Sequence, residues 1–155
     1  MSVALFPAGL DTAPLAAVHA QCFPDAWSAK AIADLLATPG TFAFAAPEGF
    51  VLARAAGGEA EILTLAVLPE ARRYGIGSAL VGKAASHAAK LGAQTLFLEV
   101  AAGNLAARTL YRRLGLAETA TRKGYYTAGR QTPEDALVLS SSLPLSPLGK
   151  TPPAG

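Results

Sequence analysis

The chain has 155 residues, is 52% hydrophobic and 15% charged, and carries a formal net charge of +2. That length fits one domain with a sizeable core. Its scattered basic residues make no nucleic-acid footprint, and no run approaches the roughly 18 to 20 apolar residues that span a bilayer. With Cys22 alone no intrachain disulfide can form, and no basic-then-apolar leader is read, so a cytoplasmic protein without membrane or direct nucleic-acid partners is expected.

Val3 to Phe6 is short, apolar and closed by Pro7, which suits a first strand. Asp11 or Thr12 can cap a helix through Gln21, with Leu15, Ala16 and Val18 as its apolar positions. Pro24-Asp25-Ala26-Trp27 breaks it. Ser28 caps a second helix with Ile32, Leu35 and Leu36 on one face, stopped by Pro39-Gly40. Thr41 to Ala46 and Phe50 to Ala55 read as a hairpin around Pro47-Glu48-Gly49. Ile62 to Val67 is apolar and partly β-branched, a buried strand that Pro69 closes. Ile76, Leu80, Ala84, Ala88 and Leu91 recur at three- and four-residue steps, one face of a long helix ending at Lys90-Leu91-Gly92. Thr95 to Val100, a short helix Leu105 to Leu114, and strands Leu116 to Thr121 and Asp135 to Leu139 follow. Residues 1–143 read as one domain. The serine-, proline- and glycine-rich remainder, 144–155, is expected to be a disordered tail.

The chain is organised around Arg72-Arg73-Tyr74-Gly75-Ile76-Gly77, a basic, glycine-containing turn between a strand and a helix. A helix N-terminus has unpaired N–H groups and a partial positive charge, and glycine lets an anion approach the backbone. On the hexapeptide alone, glycines kept for steric reasons at a strand–helix turn fit as well as a phosphate site. A Walker loop is excluded because no lysine stands between Gly77 and Ser78, and a Rossmann fingerprint because Leu80 replaces its third glycine.

The hexapeptide resembles the Gln/Arg-x-x-Gly-x-Gly/Ala signature of the Gcn5-related N-acetyltransferase (GNAT) superfamily. Leu98-Glu99-Val100, Asn104, Ala107, Leu110-Tyr111 and Leu114-Gly115-Leu116 resemble its downstream run. More narrowly these residues, with Cys22-Phe23-Pro24, Trp27-Ser28, Tyr125-Tyr126 and Glu134-Asp135-Ala136, resemble the bacterial ribosomal-protein-alanine N-acetyltransferases, the RimI subfamily. The resemblance runs from His19 to Leu143. It implies a mixed α/β domain: a twisted sheet of about seven strands, about four helices, and two central parallel strands that splay apart. It implies acetyl-CoA as cosubstrate and no metal. The splayed pair would be Ile62 to Val67 and Thr95 to Val100. Leu65, Ala66 and Val67 would pair with the pantetheine amides like an added strand. Arg72, Arg73, Tyr74, Gly75, Ile76, Gly77 and Ser78 would hold the pyrophosphate, and Asn104 would also contact the cofactor.

Amide formation from an amine and a thioester needs a neutral amine, a stabilised carbonyl oxygen and a proton for the leaving thiolate. The resemblance makes Glu99 the candidate base, acting through a water, and Tyr111 the candidate acid. The mainly apolar strand around Glu99 is expected to give it a desolvated setting. Without the motif, Glu99 reads as a solvated strand end, Tyr111 as core packing and Asn104 as a helix cap. His87 reads as structural or surface, His19 has no assigned role, and Cys22 reads as an inert buried thiol. The acceptor implied is a protein N-terminus, the alanine of a small-subunit ribosomal protein. Trp27, Tyr125, Tyr126 and Glu134 are candidates to line its groove, beside plain packing or turn roles for each. Two departures bear on that acceptor: Ala101 stands where the subfamily has arginine, and Gly103 where it has serine. An acetyltransferase for a small-molecule amine and a catalytically silent acyl-CoA-binding module remain the alternatives.

Overall fold

The computed structural model describes residues 2–7, 9–127 and 131–147. In chain order the elements are β1 (Ala4–Leu5), α1 (Ala13–Cys22), α2 (Ala29–Leu36), β2 (Thr41–Ala46), β3 (Gly49–Ala56), β4 (Glu59–Val67), α3 (Ile76–Lys90), β5 (Thr95–Ala101), α4 (Leu105–Arg113), β6 (Ala117–Tyr126) and β7 (Glu134–Ser142). The strands form one seven-stranded sheet in the order β1-β2-β3-β4-β5-β7-β6. Every neighbouring pair is antiparallel except β4 and β5, which α3 connects as a parallel crossover. This is the mixed α/β fold that the resemblance implied.

Alternation along the central strands assigns the two faces. Ala60 and Ile62 of β4, with Leu96, Leu98 and Val100 of β5, join Ile76, Leu80, Val81, Ala84 and Ala88 of α3 in the larger core, which α4 completes through Ala107, Leu110, Tyr111 and Leu114. On the other face Leu15 of α1 and Ile32 of α2 cover Ala43, Phe50, Leu52 and Ala66. Those two helices stop short of β5 and β7, so Phe97, Glu99, Ala101 and Val138 stay half-buried on an open face.

Several boundaries differ from the sequence reading. The long helix buries Ile76, Leu80, Ala84 and Ala88, but Leu91 caps it and is exposed, since the helix turns it past the sheet. Strand β4 begins three residues early because Glu59 and Glu61 alternate with buried Ala60 and Ile62. β6 runs on to Tyr126: it is an edge strand exposed along nearly its whole length, so no apolar period marks it, and its ladder to β7 holds it. Helix α1 starts with Asp11, not Thr12, accepting from a backbone N–H, at 2.9 Å from Ala13; Thr12 instead donates to the Ala29 carbonyl and ties α1 to α2. The body also continues past Leu143. Leu145 packs on the larger core, and Gly115 lies directly against the Ser146 backbone. The rest of the expected tail, residues 148–155, lies outside the described residues.

Candidate active site

Strands β4 and β5 are paired only from Glu59↔Thr95 to Ile62↔Leu98. Beyond that rung β4 keeps its ladder to β3 through Val67↔Gly49, and β5 keeps its ladder to β7 through Ala101↔Ala136. Neither has the other as partner, so a fork opens between them with peptide groups on its walls. A bulge at Leu63, where Leu52 and Ala53 of β3 oppose Thr64 and Ile62, bends β4 at the point where the fork starts. Leu65, Ala66 and Val67, predicted as the strand that meets the pantetheine, form one wall of this fork.

One of those groups is already engaged. The Leu68 N–H donates toward β3, to the Glu48 carbonyl, so the carbonyl of the same trans peptide, that of Val67, points away from β3. It accepts the Cys22 thiol at 3.3 Å and Arg72 Nε at 3.0 Å. Arg72 therefore braces the fork as well as adding charge near α3, and Cys22 has a structural bond of its own.

The turn before α3 is built to bare backbone donors. Arg73 takes a left-handed conformation at φ 72° and Gly75, the helix N-cap, another at φ 83°. Alternation of this kind folds successive N–H groups into a concavity that suits anions. The first turn of α3 has no side-chain cap and no acidic residue, leaving the N–H groups of Ile76, Gly77 and Ser78 without helical partners. Gly77 is pressed against α4 and β4: a Cβ there would stand 3.2 Å from Leu110 Cδ2 and 3.8 Å from Leu65 Cδ2. Tyr74 is 73% exposed at the rim. The fork and this turn together fit a phosphate-bearing thioester.

The catalytic candidates flank the fork on opposite sides. Leu98 and Val100 sit in the larger core with Tyr111, so Glu99 between them faces the open side of the sheet. Tyr111 is buried at 6% exposure, and that burial pushes its phenol well above the usual tyrosine value. Burial thus favours its protonated form. The desolvated setting expected for Glu99 is absent: its carboxylate is a quarter exposed and pairs with Arg122 Nε at 3.1 Å. Arg122 reaches it over β7 from β6, and its guanidinium lies 5.0 Å from the centroid of Tyr125, which in turn packs on Tyr126 at 5.2 Å. Glu99, Arg122 and Tyr125 are thus one chain of contacts, and the two tyrosines are the last residues of β6, not a loop.

The remaining candidates have local duties. Asn104 Oδ1 accepts the Ala107 N–H at 3.1 Å and caps α4. Glu134 Oε2 accepts the Gly103 N–H at 2.6 Å, and a Cβ at 103 would stand 2.5 Å from that oxygen. The contact turns Glu134 toward the β5–α4 loop, and its flexible end is what a side chain at position 103 would displace. Nothing in the structure explains Ala101. Trp27 is half-buried: its ring stacks on His19 at 5.0 Å and its backbone N–H donates to His19 Nδ1 at 3.1 Å.

Sequence reasoning missed four participants. His19 is 2% exposed and bridges Trp27 to the bulge of β4 through Thr64 Oγ1, 3.2 Å from Nε2. With Nδ1 accepting, Nε2 carries the proton, and burial lowers the imidazole below its ordinary value, with Asp25 a smaller opposing influence. Arg108 links the Ala102 carbonyl to Glu118 of β6. Arg122 and Glu61 lie on the open face beside Glu99. Only Glu61 left a signal, the polar–apolar alternation of Glu59 to Ile62; the others depend on contacts between distant strands and helices.

A family model described as the acetyltransferase (GNAT) family matches residues 13–116. The chain belongs to that family. Among curated proteins, the [ribosomal protein bS18]-alanine N-acetyltransferase of Escherichia coli (strain K12) is 42% identical over 90 residues, covering 57% of this chain and 57% of its own length. The Haemophilus influenzae protein of that name is 36% identical over 95 residues, or 61% of this chain and 64% of its own. The chain thus spans less than two thirds of the length of these curated relatives. Among solved structures, the ribosomal-protein-S18-alanine N-acetyltransferase from Escherichia coli superposes with a TM-score of 0.82 at 25% identity, over 97% of this chain and 98% of that one. Arabidopsis thaliana NAA60 in complex with acetyl-CoA shares the fold, with a TM-score of 0.77 at 20% identity over 92% and 99% of the two chains.

Proposed function

We propose that the chain transfers the acetyl group of acetyl-CoA to the N-terminal α-amine of a protein, the alanine of small-subunit ribosomal protein bS18. The observation that carries it is the strand fork: it opens between the bared amides of α3 and an exposed sheet face, with Glu99 on one side and Tyr111 on the other. The acceptor named for the E. coli relative supports the finer choice.

In this reading the walls of the fork and the first turn of α3 hold acetyl-CoA, which supplies the activated acetyl group. Leu65 presents backbone groups to it, with Val67 adding its N–H, while Ala66 between them turns its own N–H and carbonyl to β3; Arg73, Tyr74 and Asn104 lie at the phosphate end. Glu99, acting through a water, takes a proton from the attacking nitrogen, and Tyr111 gives its phenolic proton to the leaving sulfur. A thiol of pKa about 8.5 is a stronger acid than a phenol of about 10, so this donation is uphill in bulk water. Burial raises the proton affinity of both in the apolar fork and keeps the phenol from ionising. An α-amine suits the site energetically. Its pKa of about 8 against about 10.4 for lysine makes neutralisation at pH 7 roughly 3 kcal/mol easier. Trp27, Tyr125 and Tyr126 edge the approach on the open side.

The test is thiol release from acetyl-CoA with an alanine-starting peptide, the same peptide with a blocked N-terminus, and a panel of small amines. Release that requires the free α-amine supports the reading. Release with small amines only moves the acceptor to that class, and tight acetyl-CoA binding without any release leaves a binding module.

A further inference from the structure

The loop that joins α1 to α2, residues 23–28, carries Trp27 and is held in place by one buried imidazole. Its ends are fixed by the helices themselves. The Phe23 N–H donates to the His19 carbonyl at 3.1 Å, and Ser28 Oγ accepts the Ala31 N–H at 3.1 Å as the cap of α2. Between those ends the backbone N–H of Trp27 donates to His19 Nδ1 at 3.1 Å. The imidazole is 2% exposed, and the rings of Phe23, Trp27 and Phe50 enclose it, with centroids 4.5, 5.0 and 6.2 Å away.

The other ring nitrogen reaches the cofactor side. Nε2 lies 3.2 Å from Thr64 Oγ1, and Thr64 follows the bulge at Leu63 where the fork begins. The next residue along β4, Leu65, gives its peptide groups to the fork. His19 is therefore a strut between the loop that carries Trp27 and the strand that walls the fork. Only one form of the ring makes both bonds. A backbone N–H can only donate, so Nδ1 must be bare, and the single proton sits on Nε2.

We propose that His19 is a positioning residue for acceptor recognition: its neutral form pins Trp27 and the α1–α2 loop to β4, and a proton added at Nδ1 frees the loop and weakens the hold on the acceptor. The inference rests on the acetyl-transfer reading above, in which Trp27 edges the acceptor's approach. It gives His19 no contact with the acetyl group and no proton of the reaction. An imidazolium carries N–H at both nitrogens, so donor meets donor at Trp27 and the bond that fixes the middle of the loop is lost. The cofactor's side of the fork is held independently, since β4 keeps its ladder to β3 through Val67↔Gly49.

The surroundings favour the neutral form. Burial is the largest influence on the imidazole and lowers its proton affinity. Among the described residues the charged group that acts on it is Asp25, in the loop itself, which opposes that fall. Phe50 from β3 and Thr64 from β4 face the ring and do not titrate. On α1, Cys22 gives its thiol to the Val67 carbonyl. The strut is thus present at pH 7.5 and is lost as pH falls through a midpoint below the ordinary histidine value of about 6.5.

Trp27 is the only tryptophan of the chain, so intrinsic fluorescence reads the loop directly. The experiment follows that emission from pH 7.5 to 5, together with kcat and KM for the alanine peptide at saturating acetyl-CoA and the affinity for acetyl-CoA. Wild type is compared with His19→Gln, whose amide nitrogen can replace Nε2, and His19→Asn, whose Oδ1 can replace Nδ1. The wild-type emission should change with a midpoint below about 6.5, and that of the variants should show no such transition. At pH 7.5 His19→Gln should raise peptide KM about tenfold, with kcat and acetyl-CoA affinity near wild type, because one hydrogen bond is lost. Protonation of the peptide amine is common to all three proteins, so the KM ratio to wild type isolates His19. That ratio should fall toward one at pH 5, where the wild type has lost the same bond, and His19→Asn should restore most of the KM at pH 7.5. A flat wild-type emission overturns the proposal, and it needs no variant that folds. A KM ratio for His19→Gln that is one at pH 7.5 or constant with pH overturns it too, as does a parallel loss of kcat and acetyl-CoA affinity. Absence of thiol release by the wild type with every amine would instead sink the acetyl-transfer reading, while the emission still reports the strut.

Discussion

The side chains around the fork are arranged so that each proton has one owner. Tyr111 keeps its proton because it is buried in the larger core, whereas Glu99 is held on the open face by Arg122. Tyr111→Phe removes a hydroxyl and nothing else from that core, so it is expected to lower kcat by a hundredfold or more with near-unchanged acetyl-CoA binding. Single-turnover kinetics and a binding isotherm check it; a full-rate Tyr111→Phe enzyme would strip the residue of its role. His19 makes a prediction of another kind. Its folded-state pKa is lowered by burial, so the unfolded chain binds the proton more readily. The stability it contributes is present above the unfolded value of about 6.5 and is lost as pH falls through that value toward the folded one. Protonation would also set an N–H at Nδ1 against the Trp27 N–H. Thermal melts between pH 7.5 and 5 should therefore fall more steeply for wild type than for His19→Gln, and parallel curves would count against a neutral buried imidazole.

At the level of elements, the turn and first helical turn of α3 show how much a sequence can disclose. Gly75 and Gly77 stand at positions where a side chain would be strained or would strike Leu110, so the hexapeptide carries its own geometry. Strands β2 and β3 were legible because their apolar runs are bounded by turn residues. By contrast, β6 has no buried face of its own, and the Arg122–Glu99 pair spans two strand neighbours; neither leaves a local period to read. The same turn yields a prediction with two opposite signs. Ser78 is the third residue of α3, where an acidic side chain favours the positive end of the helix by about 0.3–1 kcal/mol. Ser78→Glu should thus raise stability slightly in urea unfolding. It should also weaken acetyl-CoA binding at least tenfold, because the added carboxylate competes with a phosphate for the same amides. Weakened stability together with undisturbed binding would mean that this turn holds no anion.

Across the whole molecule, the segment after β7 decides where the body ends. Its composition reads as a tail, since serine and proline supply no period, yet Leu143 and Leu145 pack on the larger core. What composition cannot reveal is a receptor on the body, and here that receptor is Gly115. At φ 97° it turns the chain from α4 into β6, and a Cβ on it would stand 2.5 Å from the Ser146 carbonyl oxygen. Truncation after Leu143 should therefore cost about 1–2 kcal/mol through the lost burial of Leu145. Gly115→Ala carries two penalties in the full chain, about 1–2 kcal/mol for the left-handed backbone and more for the displaced Ser146 backbone. In the truncated chain only the first remains. The two changes should then be non-additive, the double variant being more stable than the sum of single losses predicts by at least 0.5 kcal/mol. Urea denaturation of the four proteins measures this coupling directly. Strict additivity would mean that residues 144–147 do not rest on Gly115 in solution, and would return the boundary of the domain to Leu143.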